Sequence, residues 1–464
     1  MLSFFRINDP LRLIGVFIIL LLIRISFFTN AELIMIPEIK WMLLGEKIAN
    51  GNLLYKKVWD TTAPLSALFY AFAHFLFGKS VIAYRIMSAL LVLFYAYYYS
   101  KILIKNNVYF EKTYVPGVVL AILCCIFFDF FTLTPPLLGL GFILLSLDYL
   151  FKLLEKGLYD NQYYNVGFLI GLSALFYLPY AIFMLFVMVG MFFYSSTSLR
   201  KYLLTILGFS FPFLIVFIFY SLYYGLEELY YMYLISFLTI EKTIYIGIKD
   251  QMIVMLIPVL FLVLAMGKIF VAPRFSNYQQ KTQQLMFLYL IASVLSYVFI
   301  MEVSPYHLIL SLPGFTFFIT HYFLLIRKKL LSELAFVLFI LSIPILNLGI
   351  FYDVFGKNYF ETNALIAKEA STFSNKKILV LGEDLSVYRD NNLATPYLNW
   401  NLAKNHFDNL EFYEVLIAAY DNFENDLPEV IIDKSKSIKP LFDKAPLLSK
   451  QYENCGESTY CLKK

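Results

Sequence analysis

The feature that most constrains this chain is a succession of long apolar runs. From Leu11 to about Tyr352 they follow one another with only short polar breaks. A helix needs about 20 mostly apolar residues to cross a bilayer. The runs at 11–29, 81–100, 115–131, 136–153, 163–178, 179–195, 202–223, 252–271, 285–301, 308–326 and 331–352 therefore predict about eleven spans. The stretch 163–195 reads as one broken segment or as a short pair hinged at Pro179. Composition agrees: 60% of the residues are hydrophobic and 15% charged, against about 45–50% and about 25% in soluble domains. A net charge of +4 with no concentrated basic face argues against a nucleic-acid partner. The 4 cysteines are too few for a disulfide scaffold. The first apolar run lacks a small-residue cleavage site and leads into further apolar segments, so it reads as a span rather than a cleaved leader.

Basic residues orient the spans. With Arg6 and Arg12 in the cytoplasm, the inside loops collect Lys101, Lys105 and Lys112; Lys152 and Lys156; Arg200 and Lys201; Arg274 and Lys281; and Arg327, Lys328 and Lys329. Eleven spans then put the N-terminus inside and the tail outside, in an inner (plasma) membrane. The outer face carries a long first loop (30–80), a loop at 224–251, a turn at 302–307 and the tail. After Asp353 charged and amide residues recur every few positions, which sets a boundary near residue 355. The expected organisation is a transmembrane domain, 1–355, followed by an extracytoplasmic α/β domain, 356–464. In the tail, KKILVLG (376–382) and PEVIIDK (428–434) read as strands, and the two segments between them have helical spacing. In the first loop, residues 38–50 read as an amphipathic interfacial helix ended by Gly51 and Asn52. Pro64–Phe77 is too short for a span and reads as a second helix at the outer interface, with Pro64 in its first turn and Gly78 as its stop.

Dinucleotide, Walker, zinc and Gly-x-Ser-x-Gly signatures are all missing, and the four histidines are scattered. What remains is a set of ionisable residues at the outer face, where such groups are costly and are functional candidates by default. The first loop offers Glu32, Glu38, Lys56, Lys57 and Asp60. A carboxylate there can act as a general base or help to hold a divalent cation, and its plain alternative is a solvated loop. Arg85, near the outer start of its span, can grip a phosphate or pair with a loop carboxylate, and its plain alternative is snorkelling. Arg24 has the same two readings. Asp129, in FFDFFTLTPP, and Glu302, Tyr306 and His307, in MEVSPYHLIL, complete the set; each also reads as an ordinary helix end or polar turn. Cys455 and Cys461 flank GESTY, a hairpin turn, on the oxidising side of the membrane, where a disulfide can form.

Residues 37–89 carry a longer pattern. Glu38, Trp41, Gly45, Gly51, Tyr55, Pro64-Leu65, Phe77-Gly78, Ala83, Arg85 and Ser88-Ala89 fall in the order of the first outer loop of GT-C glycosyltransferases, the protein O-mannosyltransferase and lipid A aminoarabinose transferase type of membrane enzyme. The later SPYHLILSLPG resembles that family's proline- and tyrosine-bearing turn. The family's acidic pair is Pro37-Glu38 here, and its Pro-Pro is Ala63-Pro64. The resemblance implies a GT-C-like, α-helical polytopic membrane protein with a small C-terminal extracytoplasmic α/β domain. It implies transfer of a sugar from a polyprenyl-phosphate donor to an envelope glycan, lipid or protein acceptor. In that scheme Glu38, Asp129 and Asp60 are the candidate catalytic carboxylates. Arg85, Lys56 and Lys57 would meet the donor phosphate, and Tyr55, Glu302, Tyr306 and His307 the substrate. The cofactor is left open, with a divalent cation as the candidate. A catalytically inactive GT-C-like scaffold or assembly factor in envelope biogenesis is the alternative. A transporter is disfavoured, because no two halves of the chain mirror each other.

Overall fold

The computed structural model describes every residue except 30–33, 195–197, 224, 272–274, 352–353, 355–364, 368–372, 395 and 464. Glu32, Arg274 and the expected boundary near 355 lie outside the described residues. Every apolar run read as a span contains helix. Seven helices among the described residues are long and apolar enough to cross a membrane: Val81–Lys105, Pro135–Glu155, Leu199–Leu222, Ile248–Val271, Asn277–Phe299, Pro305–Leu325 and Lys329–Ile350. The chain is a multi-pass membrane protein. The other expected spans are shorter or broken. Leu13–Thr29 and Asp160–Phe176 have 17 residues each. Val115–Leu123 has 9 and is followed by a 3-10 turn, Phe128–Phe131. At Pro179 the segment 163–195 is a pair: extended Tyr177 separates Asp160–Phe176 from a 3-10 turn, Leu178–Ile182, which runs into Phe183–Tyr194.

The chain divides into two compact units. The first comprises Met1–Ala31, Ile82–Phe217 and Ile246–Glu361, and the second Glu32–Val81, Ile218–Tyr245 and Thr362–Lys464. In the first, close crossings depend on small residues. A Cβ on Gly167 would lie 1.9 Å from the carbonyl oxygen of Thr205, and one on Gly208 would lie 2.1 Å from that of Tyr164. The helices Asp160–Phe176 and Leu199–Leu222 thus meet backbone to backbone, as small residues allow in a bilayer.

In the second unit, Ile36–Ala49 starts with Pro37 and Glu38 in its first turn and ends with Lys47 in its last, the polarity a helix dipole favours. The helix packs on Pro64–Phe77. Gly45 leaves no room for a Cβ, which would sit 2.5 Å from the Tyr70 carbonyl oxygen, and the Trp41 and Tyr70 rings stack at 5.8 Å. The expected solvated face of Ile36–Ala49 is not there: Glu38, Lys40 and Lys47 are all buried. Lys40 and Lys47 find carboxylates, Asp60 and Asp426, so the charges face partners rather than water. Pro64–Phe77 buries Ser66, Ala67, Tyr70 and Ala73 and exposes Leu68, Phe72, Phe75 and Leu76.

The tail forms a five-stranded sheet. Its order is Asn392–Leu393, Lys377–Leu381, Val430–Asp433, Thr459–Leu462, Tyr452–Gly456; the first two pairings are parallel and the last two antiparallel. The helices Trp400–Asp408 and Tyr413–Asn425 connect the parallel strands. Cys455 and Cys461 are joined across the terminal hairpin with their α-carbons 5.9 Å apart. The tail core includes Leu379, Tyr397, Phe407, Phe423 and Ile431, together with Trp59 from the first loop. The Trp59 ring stands edge-on to Tyr397 at 5.2 Å and to His406 at 4.5 Å. Its backbone joins as well: Trp59 N–H donates to Pro396 O, and Asn399 N–H to Trp59 O. Burial there lowers the pKa of His406 and favours the neutral ring.

Candidate functional site

Each unit holds its own buried polar group. In the first, the group begins where Val115–Leu123 stops and ends where Thr134 caps the next helix by accepting from Leu137 N–H. Non-helical backbone at membrane depth must have its carbonyls satisfied by protein. Arg24 does this. It donates to Ser88 Oγ at 3.2 Å and to the carbonyl of Cys124 at 3.3 Å, with longer contacts to Phe130 and Phe131. Its guanidinium also lies over the Phe131 ring. Arg24 is buried here and does not snorkel.

This braced segment presents Asp129. Its Oδ2 accepts the Ser304 hydroxyl at 2.9 Å and the Tyr306 backbone N–H at 2.8 Å. Among the described residues its buried Oδ1 has no hydrogen-bond partner. The carboxylate thus caps the 3-10 segment Pro305–Ser311 from another element and keeps one oxygen in reserve. In the same turn Tyr306 donates its hydroxyl to Glu302 Oε2 at 2.9 Å. His307 is bonded through both ring nitrogens, Nδ1 with the Tyr177 hydroxyl at 2.9 Å and Nε2 with Ser296 Oγ at 3.1 Å. The Tyr297 ring stands edge-on to it at 4.3 Å. Beside His307 opens an apolar groove of about 450 Å³, whose walls include Met255, Leu290, Val294 and Phe315 as well as Tyr297 and His307. Arg85 is buried in Val81–Lys105 of this unit.

In the second unit Glu38 is fully buried. Asp60 is also buried, and both its oxygens are engaged. Lys40 Nζ lies 3.3 Å from Oδ1, and Asn399 Nδ2 is at 3.4 Å. Thr62 donates its hydroxyl and its backbone N–H to Oδ2. Tyr55 is fully buried, between the rings of Tyr220 and Tyr233, and donates its hydroxyl to Thr62 O at 2.8 Å. Burial pushes its phenol pKa up, so it acts as a neutral donor. Its φ of +68° is unusual for a tyrosine and is held by the Tyr55 N–H to Val58 O bond. Lys56 and Lys57 are exposed, and Lys56 Nζ reaches Tyr223 O at 3.1 Å.

The sequence candidates thus fall into two sets: Asp129, Glu302, Tyr306 and His307 with Arg85 in the first unit, and Glu38, Tyr55, Lys56, Lys57 and Asp60 in the second. Sequence reasoning missed Lys40, Ser304, Tyr177, Ser296 and Asn399. Ser304, just ahead of Pro305, and Asn399, which caps Trp400–Asp408, had signals as helix-start residues; the others had none. Among the described residues no three His, Cys, Asp or Glu side chains converge as a metal site.

Two solved structures of membrane proteins are similar to this chain, and both belong to the GT-C superfamily of glycosyltransferases. One is ArnT from Cupriavidus metallidurans bound to undecaprenyl phosphate, at 12% identity and a TM-score of 0.48, with 69% of this chain and 61% of that one covered. The chain therefore spans less than two thirds of ArnT. The other is the archaeal oligosaccharyltransferase AglB from Archaeoglobus fulgidus in complex with an inhibitory peptide and a dolichol-phosphate, at 11% identity and a TM-score of 0.48, covering 97% of this chain and 74% of that one. No protein-family profile and no curated protein matches the chain.

Proposed function

We propose that this chain is a membrane glycosyltransferase that moves a sugar from a polyprenyl-phosphate donor to an envelope acceptor at the extracytoplasmic face. The observation that carries the reading is Asp129, a buried carboxylate held through one oxygen with the other unpartnered among the described residues. The loop pattern at 37–89 supports it. In the proposed reaction the acceptor hydroxyl oxygen attacks the anomeric carbon and the carbon–phosphate oxygen bond breaks. The hydroxyl proton passes to a carboxylate, and the electron pair leaves on the polyprenyl phosphate. Asp129 and Glu38 are the candidate bases. In the first unit Arg85 would meet the leaving phosphate, Glu302 and Tyr306 would flank the substrate, and the apolar groove would suit the isoprenoid chain; in the second unit Lys56 and Lys57 are the candidates for the phosphate and Tyr55 for the substrate. Asp60, whose oxygens are taken, serves as the counter-ion of Lys40 in this scheme.

Loss of a general base costs about 10²–10⁴ in rate. Asp129→Asn or Glu38→Gln should therefore abolish most transfer, and polyprenyl-phosphate-sugar should accumulate in lipid extracts read by mass spectrometry. If both variants transfer normally and complement a deletion, the inactive scaffold replaces the enzyme.

The proposed topology has the N-terminus in the cytoplasm, 1–355 in the membrane and 356–464 as the extracytoplasmic domain. A reporter active only outside the cytoplasm should be silent when fused after Lys105. Activity there would make Pro64–Phe77 a full span and reverse the later loops.

A further inference from the structure

The hydrogen bonds around His307 require a proton on Nε2 and, in a neutral ring, leave Nδ1 bare. Ser296 Oγ lies 2.6 Å from the Ser293 carbonyl oxygen, a contact that requires a proton between them, and a hydroxyl has only one. Ser296 therefore has no proton left for His307 and must accept from Nε2–H at 3.1 Å. A neutral imidazole protonated on Nε2 has a bare Nδ1, which accepts the Tyr177 hydroxyl at 2.9 Å. With a neutral ring the protons run in one direction: Tyr177 O–H to Nδ1, Nε2–H to Ser296, and Ser296 O–H to the Ser293 carbonyl.

This chain of bonds ties together three pieces of the first unit. Tyr177 follows the end of Asp160–Phe176, Ser296 follows the end of Asn277–Leu295, and His307 sits in Pro305–Ser311. His307 N–H also bonds Ser304 O. Ser304 Oγ and Tyr306 N–H are the two donors that hold Asp129. The imidazole thus shares the groove wall with Tyr297 on one side and steadies the turn that grips Asp129 on the other.

We infer that His307 is a positioning residue, locked as the neutral Nε2–H tautomer by Tyr177 and Ser296, that fixes the 304–307 turn and through it the carboxylate of Asp129. His307 touches no reacting atom in this scheme. Its loss lets the turn drift and misplaces Asp129, while most of the groove wall stays intact.

The test has two arms. In the first, histidine is labelled with ¹⁵N in the wild-type protein in detergent or nanodiscs, and His307→Gln identifies the His307 signals. The expected signature is a neutral ring protonated on Nε2; an imidazolium, or a ring protonated on Nδ1, overturns the inference. The second arm rests on the glycosyl-transfer reading. A roughly 1 Å misplacement costs about 10²-fold in rate, so His307→Ala should lower kcat by about that factor with little change in the KM for the lipid-linked donor. His307→Gln, whose amide N–H can still reach Ser296, should recover part of the loss. A rise in KM alone would make His307 a groove contact and sink the positioning role. If the wild-type protein transfers no sugar, the glycosyltransferase reading fails by itself and the labelling arm still decides the state of His307.

Discussion

Lys40 and Asp60 approach to 3.3 Å with both side chains almost fully buried. A buried ion pair is weak evidence of stability as a whole, but removing one partner strands the other charge at a cost of about 3–5 kcal/mol. Lys40→Met should therefore lower the thermal midpoint of the detergent-purified protein sharply. Lys40→Met with Asp60→Asn should regain most of the loss, because the amide carries no charge and keeps an acceptor for Asn399. Equal losses in the single and double variants would show that the energy lies elsewhere. At this scale the sequence displays the carboxylates and conceals their partners. Glu38, Asp60 and Asp129 stand out because acids are rare in apolar surroundings. Tyr177 and Ser304 acquire their roles from residues more than 100 positions away, and Lys40 and Ser296 from other elements nearer in the chain; no helical or strand spacing encodes that.

The crossing of Asp160–Phe176 with Leu199–Leu222 rests on three glycines, Gly167, Gly171 and Gly208, that face backbone atoms rather than movable side chains. Gly208→Val should abolish recovery of monodisperse protein in fluorescence-detected size-exclusion chromatography. Gly267→Ala, in Ile248–Val271 with nothing within 4 Å of the new methyl, should leave the peak unchanged, since alanine gains about 0.8–1 kcal/mol in helix propensity over glycine. A normal peak for Gly208→Val would mean the crossing can open without loss of fold. Hydrophobic runs announce helices well, because length and apolarity are both local properties. The break after Leu123 is different. Residues 124–131 stay apolar apart from Asp129, so the run continues while the helix does not. The backbone can leave the helix there because Arg24 supplies donors from another element.

Across the whole molecule, the two compact units are woven from alternating parts of the chain. The strands and helices of the tail are legible from its alternating and helical patterns, and the change in composition near 355 marks where the chemistry of the chain changes. That change cannot show that the tail core takes in Trp59, which lies in a distant loop. Trp59→Ala should cost the second unit about 3–5 kcal/mol, as truncation of a buried large aromatic does. Limited proteolysis should then cut sooner within 376–464, with Trp59→Phe intermediate; unchanged cleavage would show that the tail core does not depend on the indole. The same contact has a consequence in time. Asp60 and Asn399, neighbours in the finished fold, are separated by 339 positions. At about 5–20 residues per second of synthesis, the loop waits roughly 17–70 s for its counterpart to be made. Throughout that interval the indole has no tail to enter. A nascent chain that stalls before Tyr397 leaves the ring unsheltered, so Trp59 registers whether translation has reached the C-terminal sheet.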